Sequence, residues 1–235
     1  MDGMAVFRSL RGAIRSPGSQ ALLMPRALVA PQGAIAIRLR PMRADDAIEW
    51  SRLRERNRSW LQPWDSGDPM HGPGFSFNEW IERQHRAQRA GTAAQFFIEY
   101  RMSIVGQVSV GAISYGAMRC GSVGYWVDEG HAGLGIAPMA VALLADWAML
   151  DAAGSRLHRL EIAMLPENRC SKRVAENSGR VMKVCVVATC TSMALGAIMK
   201  CTVYWLKMRL KALSNVCLIE FRPSAAGIEN PVEVQ

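Results

Sequence analysis

The chain has 235 residues, 50% hydrophobic and 20% charged, enough apolar material for one well-buried domain and too much for a disordered chain. The formal charge of +8 is gathered at the two ends. Residues 1–33 carry Arg8, Arg11, Arg15 and Arg26 against Asp2, and residues 180–235 carry Arg180, Lys183, Lys200, Lys207, Arg209, Lys211 and Arg222 against Glu220, Glu229 and Glu233, so the middle is near neutral and a direct nucleic-acid role is not expected.

Residues 1–33 lack the continuous apolar core of a secretory signal. Their low-acid, Pro- and Gly-interrupted composition reads as a disordered basic extension, or as an upstream start ahead of Met24. Four of the six cysteines, Cys185, Cys190, Cys201 and Cys217, crowd the tail, while Cys120 and Cys170 lie in the body. No Cys/His spacing suits zinc and a disulfide framework is not expected, so the chain is read as metal-free.

In chain order, Ala34 to Leu39 alternates as a first strand. Asp45 or Asp46 then caps a helix to about Arg58, with Ile48 and Leu53 facing inward. Trp60, Leu61, Pro63 and Trp64 follow, either lining a cleft or packing under the helix end. Asp65 to Gly74 is a Gly/Pro loop, and Phe75 to Arg89 a second helix. Gln95 to Tyr100, Ile104 to Ser114 and Ser122 to Asp128 form an antiparallel meander joined by short links. Pro138 to Leu150 is an amphipathic helix. Leu157 to Leu165 is a strand parallel to its predecessor, because a helix connects them. A last helix starts near Cys170. The order predicts one α/β (α+β) domain over residues 34–179, built on a mixed, mostly antiparallel sheet flanked by helices.

The chemistry is concentrated between Gly121 and Ser171. Gly133 and Gly135 permit a tight turn that lets backbone amides approach an anion. Pro138 sits in the first helical turn, where no N–H is needed. The free amides of Leu134 to Met139 and the helix dipole then suit a phosphate. Glycines before a helix also make plain turns. A P-loop fails because Ile136 and Ala137 follow Gly135, and a Rossmann fingerprint fails because Pro138 stands at its third glycine.

Four motifs together are more specific: Gly124-Tyr125-Trp126-Val127-Asp128, Gly133-Leu134-Gly135-Ile136-Ala137, His158-Arg159-Leu160-Glu161-Ile162 and Pro166-Glu167-Asn168-Arg169-Cys170-Ser171. With Asn57 to Trp64 they make the chain resemble the GNAT acetyltransferases, most of all the ribosomal-protein-alanine (Rim-type) N-acetyltransferase branch, over about residues 35–179. Ala132 departs from the polar residue usual in the family's turn. The resemblance implies acetyl-CoA as co-substrate, lying between the strand ending near Asp128 and the strand ending near Leu165. It assigns pantetheine and thioester contacts to Trp126 and Val127, and pyrophosphate contacts to Gly133, Leu134, Gly135, Ile136 and Ala137. Asn168 is implied to bond the pantetheine arm and Ser171 to protonate the leaving thiolate; helix capping is the alternative for both. Glu129 and Glu161 are the nearest carboxylates for a general base, each also readable as a solvated charge. His131 and His158 read as surface or structural residues. The implied acceptor is a protein N-terminus or a small amine, and the implied location is cytoplasmic.

The resemblance stops after Gly179, where the family's last two strands are expected; residues 180–235 read as an atypical tail with those strands missing or altered. Val184 to Met199 is uncharged and is a short membrane-helix candidate, although a membrane role is not expected. The genetic code offers another reading. Joining the third base of each codon to the first two of the next, Met182–Lys183 forces Glu, Met193–Ala194 forces Gly, Met199–Lys200 forces Glu and Tyr204–Trp205 forces Leu. Around Asn177–Ser178 the shifted frame can encode Lys-Leu-Gly, the family's usual end to this helix. The tail is therefore expected to be the product of a one-base frame slip near Glu176–Asn177.

Overall fold

The alternating strands of the middle segment form the centre of one sheet. The structure is a computed structural model that describes residues 21–64, 76–151, 154–178, 181–182, 187–191 and 198–207, the last three segments as backbone only. Strands β1 (Leu28–Val29), β2 (Ile37–Pro41), β3 (Ala94–Tyr100), β4 (Ser103–Ser114) and β5 (Cys120–Val127) pair antiparallel in sequence order. The β3–β4 link is a two-residue turn, with Arg101 and Met102 both at positive φ (50° and 66°), the geometry that matches the twist of a hairpin. Strand β6 (Arg159–Met164) lies parallel to β5.

Helices cover both faces. Helices α1 (Ala47–Arg56), α2 (Arg58–Leu61) and α3 (Phe77–Arg89) come before the meander, and α4 (Ile136–Met149) and α5 (Arg169–Asn177) flank β6 in sequence. Helix α3 starts at a capping box in which Ser76 and Glu79 bond each other's backbone amides, as their three-residue spacing dictates. Helix α4 packs on β1, β2, β4 and β5 over the main core, where the Trp147 ring meets Phe96 edge-on at 5.2 Å. The opposite face carries a smaller core of Met42, Leu53, Ile81, Phe97 and Ile104, with Trp50, Phe77, Trp80 and Trp126 packed against it.

Three local expectations differ from the structure. Ile48 is 67% exposed, whereas Leu53 is buried and Trp50 packs beside it on the smaller core. Asp46 makes no side-chain cap to α1. Its carboxylate instead accepts two bonds from Arg40, both at 2.8 Å, and one from the Arg43 amide. Part of the extension is built into the domain: β1 pairs with β2, and Leu22 is buried in the main core. Residues 1–20 and the loop expected from Asp65 to Gly74 lie outside the described residues.

The sheet continues past β6 into the tail. The sheet order is β1-β2-β3-β4-β5-β6-β9-β7, with β8 also paired to β9. Strand β9 (Ile198–Lys207) runs antiparallel to β6 from Arg159↔Lys207 to Met164↔Thr202, and β8 (Val187–Thr191) and β7 (Val181–Met182) pair on its other side. The stretch noted as a short membrane-helix candidate contains β8 and the start of β9. Ile198, Thr202, Val203, Tyr204 and Trp205 are of β-branched or aromatic types that favour a pleated ladder, and the outer edge of β6 has backbone groups that need partners. Among the described residues no helix is long and apolar enough to cross a membrane.

Candidate active site

Strands β5 and β6 are paired only at Cys120↔Arg159, Gly121↔Leu160 and Ser122↔Glu161. Beyond that rung both continue, β5 to Val127 and β6 to Met164, and they separate. The pattern of bonds to β4 shows what faces the opening. The Asp128 amide donates to Val105 O at 2.8 Å, so by the alternation of an antiparallel ladder the backbone groups of Trp126 and Gly124 also point to β4. Those of Tyr125 and Val127 point the other way, into the gap. Of the expected pair Trp126 and Val127, it is Val127 whose amide faces the opening, while the Trp126 indole packs against Trp50 with centroids 5.2 Å apart. The gap edge of β5 can therefore accept an extended, amide-bearing chain as a sheet accepts another strand.

The turn follows directly. Gly133 and Gly135 adopt φ of 80° and 81°, the left-handed region where a side chain is strained. Gly135 is the N-cap of α4 and no side chain caps it. The amides of Ile136 and Ala137 consequently lack intrahelical partners and remain at the positive end of a 14-residue helix. The residues present fit a pyrophosphate, since the helix begins on free amides with no side-chain cap. Ala132, extended at φ −66° and ψ 149°, precedes the turn.

Behind the turn lies a buried cluster that sequence reasoning missed. The Asp128 carboxylate receives bonds from Asn57 Nδ2 at 2.6 Å, Arg56 Nε at 3.0 Å and His131 Nδ1 at 2.7 Å. Asn57, wholly buried, also donates to Leu53 O and accepts from the Glu129 amide at 2.8 Å. Burial alone would raise the Asp128 pKa, but the bonds from Asn57, His131 and Arg56 more than offset it and hold the carboxyl below its ordinary value. The Trp60 indole donates to Val127 O at 3.2 Å. The end of α1 and the start of α2 are thus clipped to the strand end and the turn. Asn57 and Trp60 stood in a segment that contributed to the resemblance, yet nothing in their spacing indicated that they bond β5. His131 takes a structural place, against Asp128 and edge-on to Tyr100.

Across the gap, Asn168 caps α5, its Oδ1 accepting from the Ser171 amide at 2.9 Å. Capping is therefore what Asn168 does in the structure, and it fixes Ser171 in the first turn. Ser171 Oγ lies 2.7 Å from the Tyr125 hydroxyl, a link between β5 and α5 that the sequence did not reveal. Glu161 flanks the last paired rung, on the sheet face of Ser122 and Trp126, and is ion-paired with Arg159 at 2.9 Å. Tyr125 and Ser171 belong to the opposite face. Glu129 is exposed in a 3-10 turn after β5. Glu161 and Ser171 are thus on opposite sides of the sheet, with the gap between them. Among the described residues no group of three or more His, Cys, Asp or Glu side chains could hold a metal ion.

A family model described as an acetyltransferase (GNAT) domain matches residues 36–181. The chain belongs to the GNAT acetyltransferase family. It is similar to a probable N-acetyltransferase, YjcK of Bacillus subtilis, at 30% identity over 148 residues, covering 61% of this chain and 79% of the relative. Among solved structures it is similar to Mycobacterium smegmatis RimJ in complex with CoA-disulfide, with 28% identity and a TM-score of 0.65 over 77% of this chain and 85% of that one. The ribosomal-protein-S5-alanine acetyltransferase of Vibrio fischeri shares the fold, with a TM-score of 0.61 at 23% identity over 76% of this chain and 96% of that one. By family this GNAT chain is an acyltransferase, and its mixed sheet with the β5/β6 opening is the GNAT fold.

Proposed function

We propose that this chain transfers the acetyl group of acetyl-CoA to a primary amine, a protein N-terminus of the ribosomal-protein alanine type. The observation that carries the reading is the opening between β5 and β6 leading directly into an uncapped helix N-terminus. Bound there, acetyl-CoA supplies the activated acyl group. The Gly133–Ala137 turn holds the pyrophosphate on backbone amides. The gap-facing edge of Tyr125 and Val127 orders the pantetheine arm, and the Val127 amide is placed to polarise a thioester carbonyl. Asn168 sets the first turn of α5 so that Ser171 can donate to the leaving thiolate. On the other face, Glu161, or Glu129 through water, takes the proton of the attacking amine. The resemblance of the sequence motifs to the Rim-type branch supports a peptide acceptor, and such a substrate fits a cytoplasmic enzyme.

Calorimetry with CoA tests the first half of this reading and mass spectrometry of acetylated peptides the second. We expect saturable binding and acetylation of N-terminal alanine peptides in preference to peptides with a blocked N-terminus. Absence of CoA binding would sink it.

A second reading is favoured by one observation: the family match ends at residue 181, before β8 and β9. In it the chain is a CoA-binding remnant whose acceptor wall has been replaced through a frame slip. This form would bind CoA and acetylate none of the amines offered. Resequencing the gene, together with mass spectrometry of tail peptides, tests the slip. Acetylation of any amine by the chain carrying the present tail overturns the remnant reading.

A further inference from the structure

The Tyr125 hydroxyl touches Ser171, a residue that the mechanism needs, and the mechanism above does not use it. Its oxygen lies 2.7 Å from Ser171 Oγ and 3.1 Å from Ser171 O. Tyr125 belongs to the part of β5 beyond the last rung shared with β6, so its side chain spans from the separated strand to the first turn of α5. The ring packs against the main core, which fixes where the hydroxyl can go.

A phenol has one proton to give. If that proton goes to Ser171 O, the short contact to Oγ can be made only by the serine proton, which then points at the phenol and away from the gap. If it goes to Ser171 Oγ, the serine proton is released to point elsewhere. Two arrangements exist, and they differ in whether Ser171 can donate to a third partner. The carbonyl of Ser171 is already placed to accept from the α5 ladder as an interior helical carbonyl, so it needs the phenol less than Oγ does. The bond to Oγ is also the shorter of the two.

We propose that Tyr125 is a positioning residue that donates to Ser171 Oγ and so turns the serine proton into the gap, toward the sulfur of a bound CoA. The proposal rests on the acetyl-CoA reading above. No proton leaves Tyr125 in this role: the bond to the thiolate is made by the serine, and the phenol sets its direction. Burial pushes the Tyr125 hydroxyl up to about 12, outweighing the bond to Ser171, so the donor keeps its proton throughout the range in which amines are acetylated.

The test needs no turnover. Thiolate absorbance of CoA bound to the full chain is titrated against pH, with the unliganded protein subtracted to remove the six cysteines of the chain. A serine proton aimed at sulfur stabilises the thiolate, so the bound thiol should titrate about one pH unit below free CoA. Tyr125→Phe keeps the ring and removes only the hydroxyl; Ser171→Ala removes the donor. Each should return the titration to that of free CoA, and the double variant should do no more. CoA affinity should change less than about threefold in Tyr125→Phe, since no phosphate contact is touched. With an acceptor peptide, kcat for Tyr125→Phe should fall about tenfold at little change in KM. A Tyr125→Phe titration matching wild type, or a further shift when it is added to Ser171→Ala, overturns the proposal. Failure of the wild-type protein to bind CoA would overturn the functional reading and this proposal with it, whereas tight binding with an unshifted thiol would overturn this proposal alone.

Discussion

Strands β5 and β9 lie two places apart in one sheet and differ in what their sequences must supply. Around β5 each residue has a particular partner: Val127 O takes the Trp60 indole, Tyr125 meets Ser171, and Asp128 gathers Asn57, Arg56 and His131. Strand β9 needs only backbone that pairs, and its ladder to β6 runs unbroken from Arg159↔Lys207 to Met164↔Thr202. A sheet edge tolerates many β-prone sequences because its bonds come from the main chain. A site does not, because its bonds come from side chains at single positions. A tail without family resemblance can therefore complete the sheet without carrying the family's chemistry.

The comparison can be broken at several points. The largest effect is expected at Asn57. Replacing it by alanine removes bonds to Leu53 O, Asp128 and the Glu129 amide in a wholly buried place, and should cost about 3 kcal/mol. Thermal melting would show a fall of about 6–12 °C; a change within 2 °C, roughly the least that 1 kcal/mol gives at this size, would mean the clip is dispensable. Next comes Gly135→Val, a β-branched residue at φ 81°. CoA affinity by calorimetry should drop on the order of a hundredfold, with the circular dichroism of the fold retained. Unchanged affinity would remove the turn from the site.

Acid sensitivity comes third. Because the folded Asp128 carboxyl is held below its ordinary value, its contribution to stability is present above the unfolded pKa of about 3.9 and is lost as pH falls through the folded value. The difference in melting temperature between pH 7 and pH 3 should shrink by a few degrees in Asp128→Asn. An unaltered difference would show that the acid response lies elsewhere, for example at Glu99. There burial raises the pKa, but bonds from Arg40 and Arg38 offset it and again leave the carboxyl low. The smallest effect on CoA is expected from Thr202→Pro, placed where β9 pairs with both Met164 and Val187. Loss of a ladder bond should lower stability by about 1–3 kcal/mol while CoA affinity stays within about threefold. Loss of CoA binding in this variant would show that the gap depends on the tail.

The meander, the parallel β6 and the helices were legible because alternation and amphipathic spacing are local signals. The glycine turn was legible for the same reason, since positive φ before a helix selects glycine. Ile48 was misread because a helix pattern by itself does not say which of its apolar residues meet the sheet; Leu53 and Trp50 do. Residues 21–33 were misread because their composition resembles a linker, while Leu22 and Leu28 find the core only in three dimensions. Asn57, Tyr125 and Trp60 had no signal of their own: their partners lie 71, 46 and 67 residues away.

By itself the sequence determined the elements from β2 to α5, the turn at Gly133–Ala137, the family and the place where resemblance ends at about residue 179. Each depends on residues close together in the chain, where backbone preference and side-chain periodicity act. Only the tertiary structure decided that Val127 rather than Trp126 faces the gap, that Asn168 serves as a cap, that Tyr125 holds Ser171, and that the tail pairs with β6. These depend on strand register and on contacts across the sheet, and register is settled by the packing of whole faces. The cofactor side of the site is thus written in local sequence, and its alignment is a property of the folded sheet.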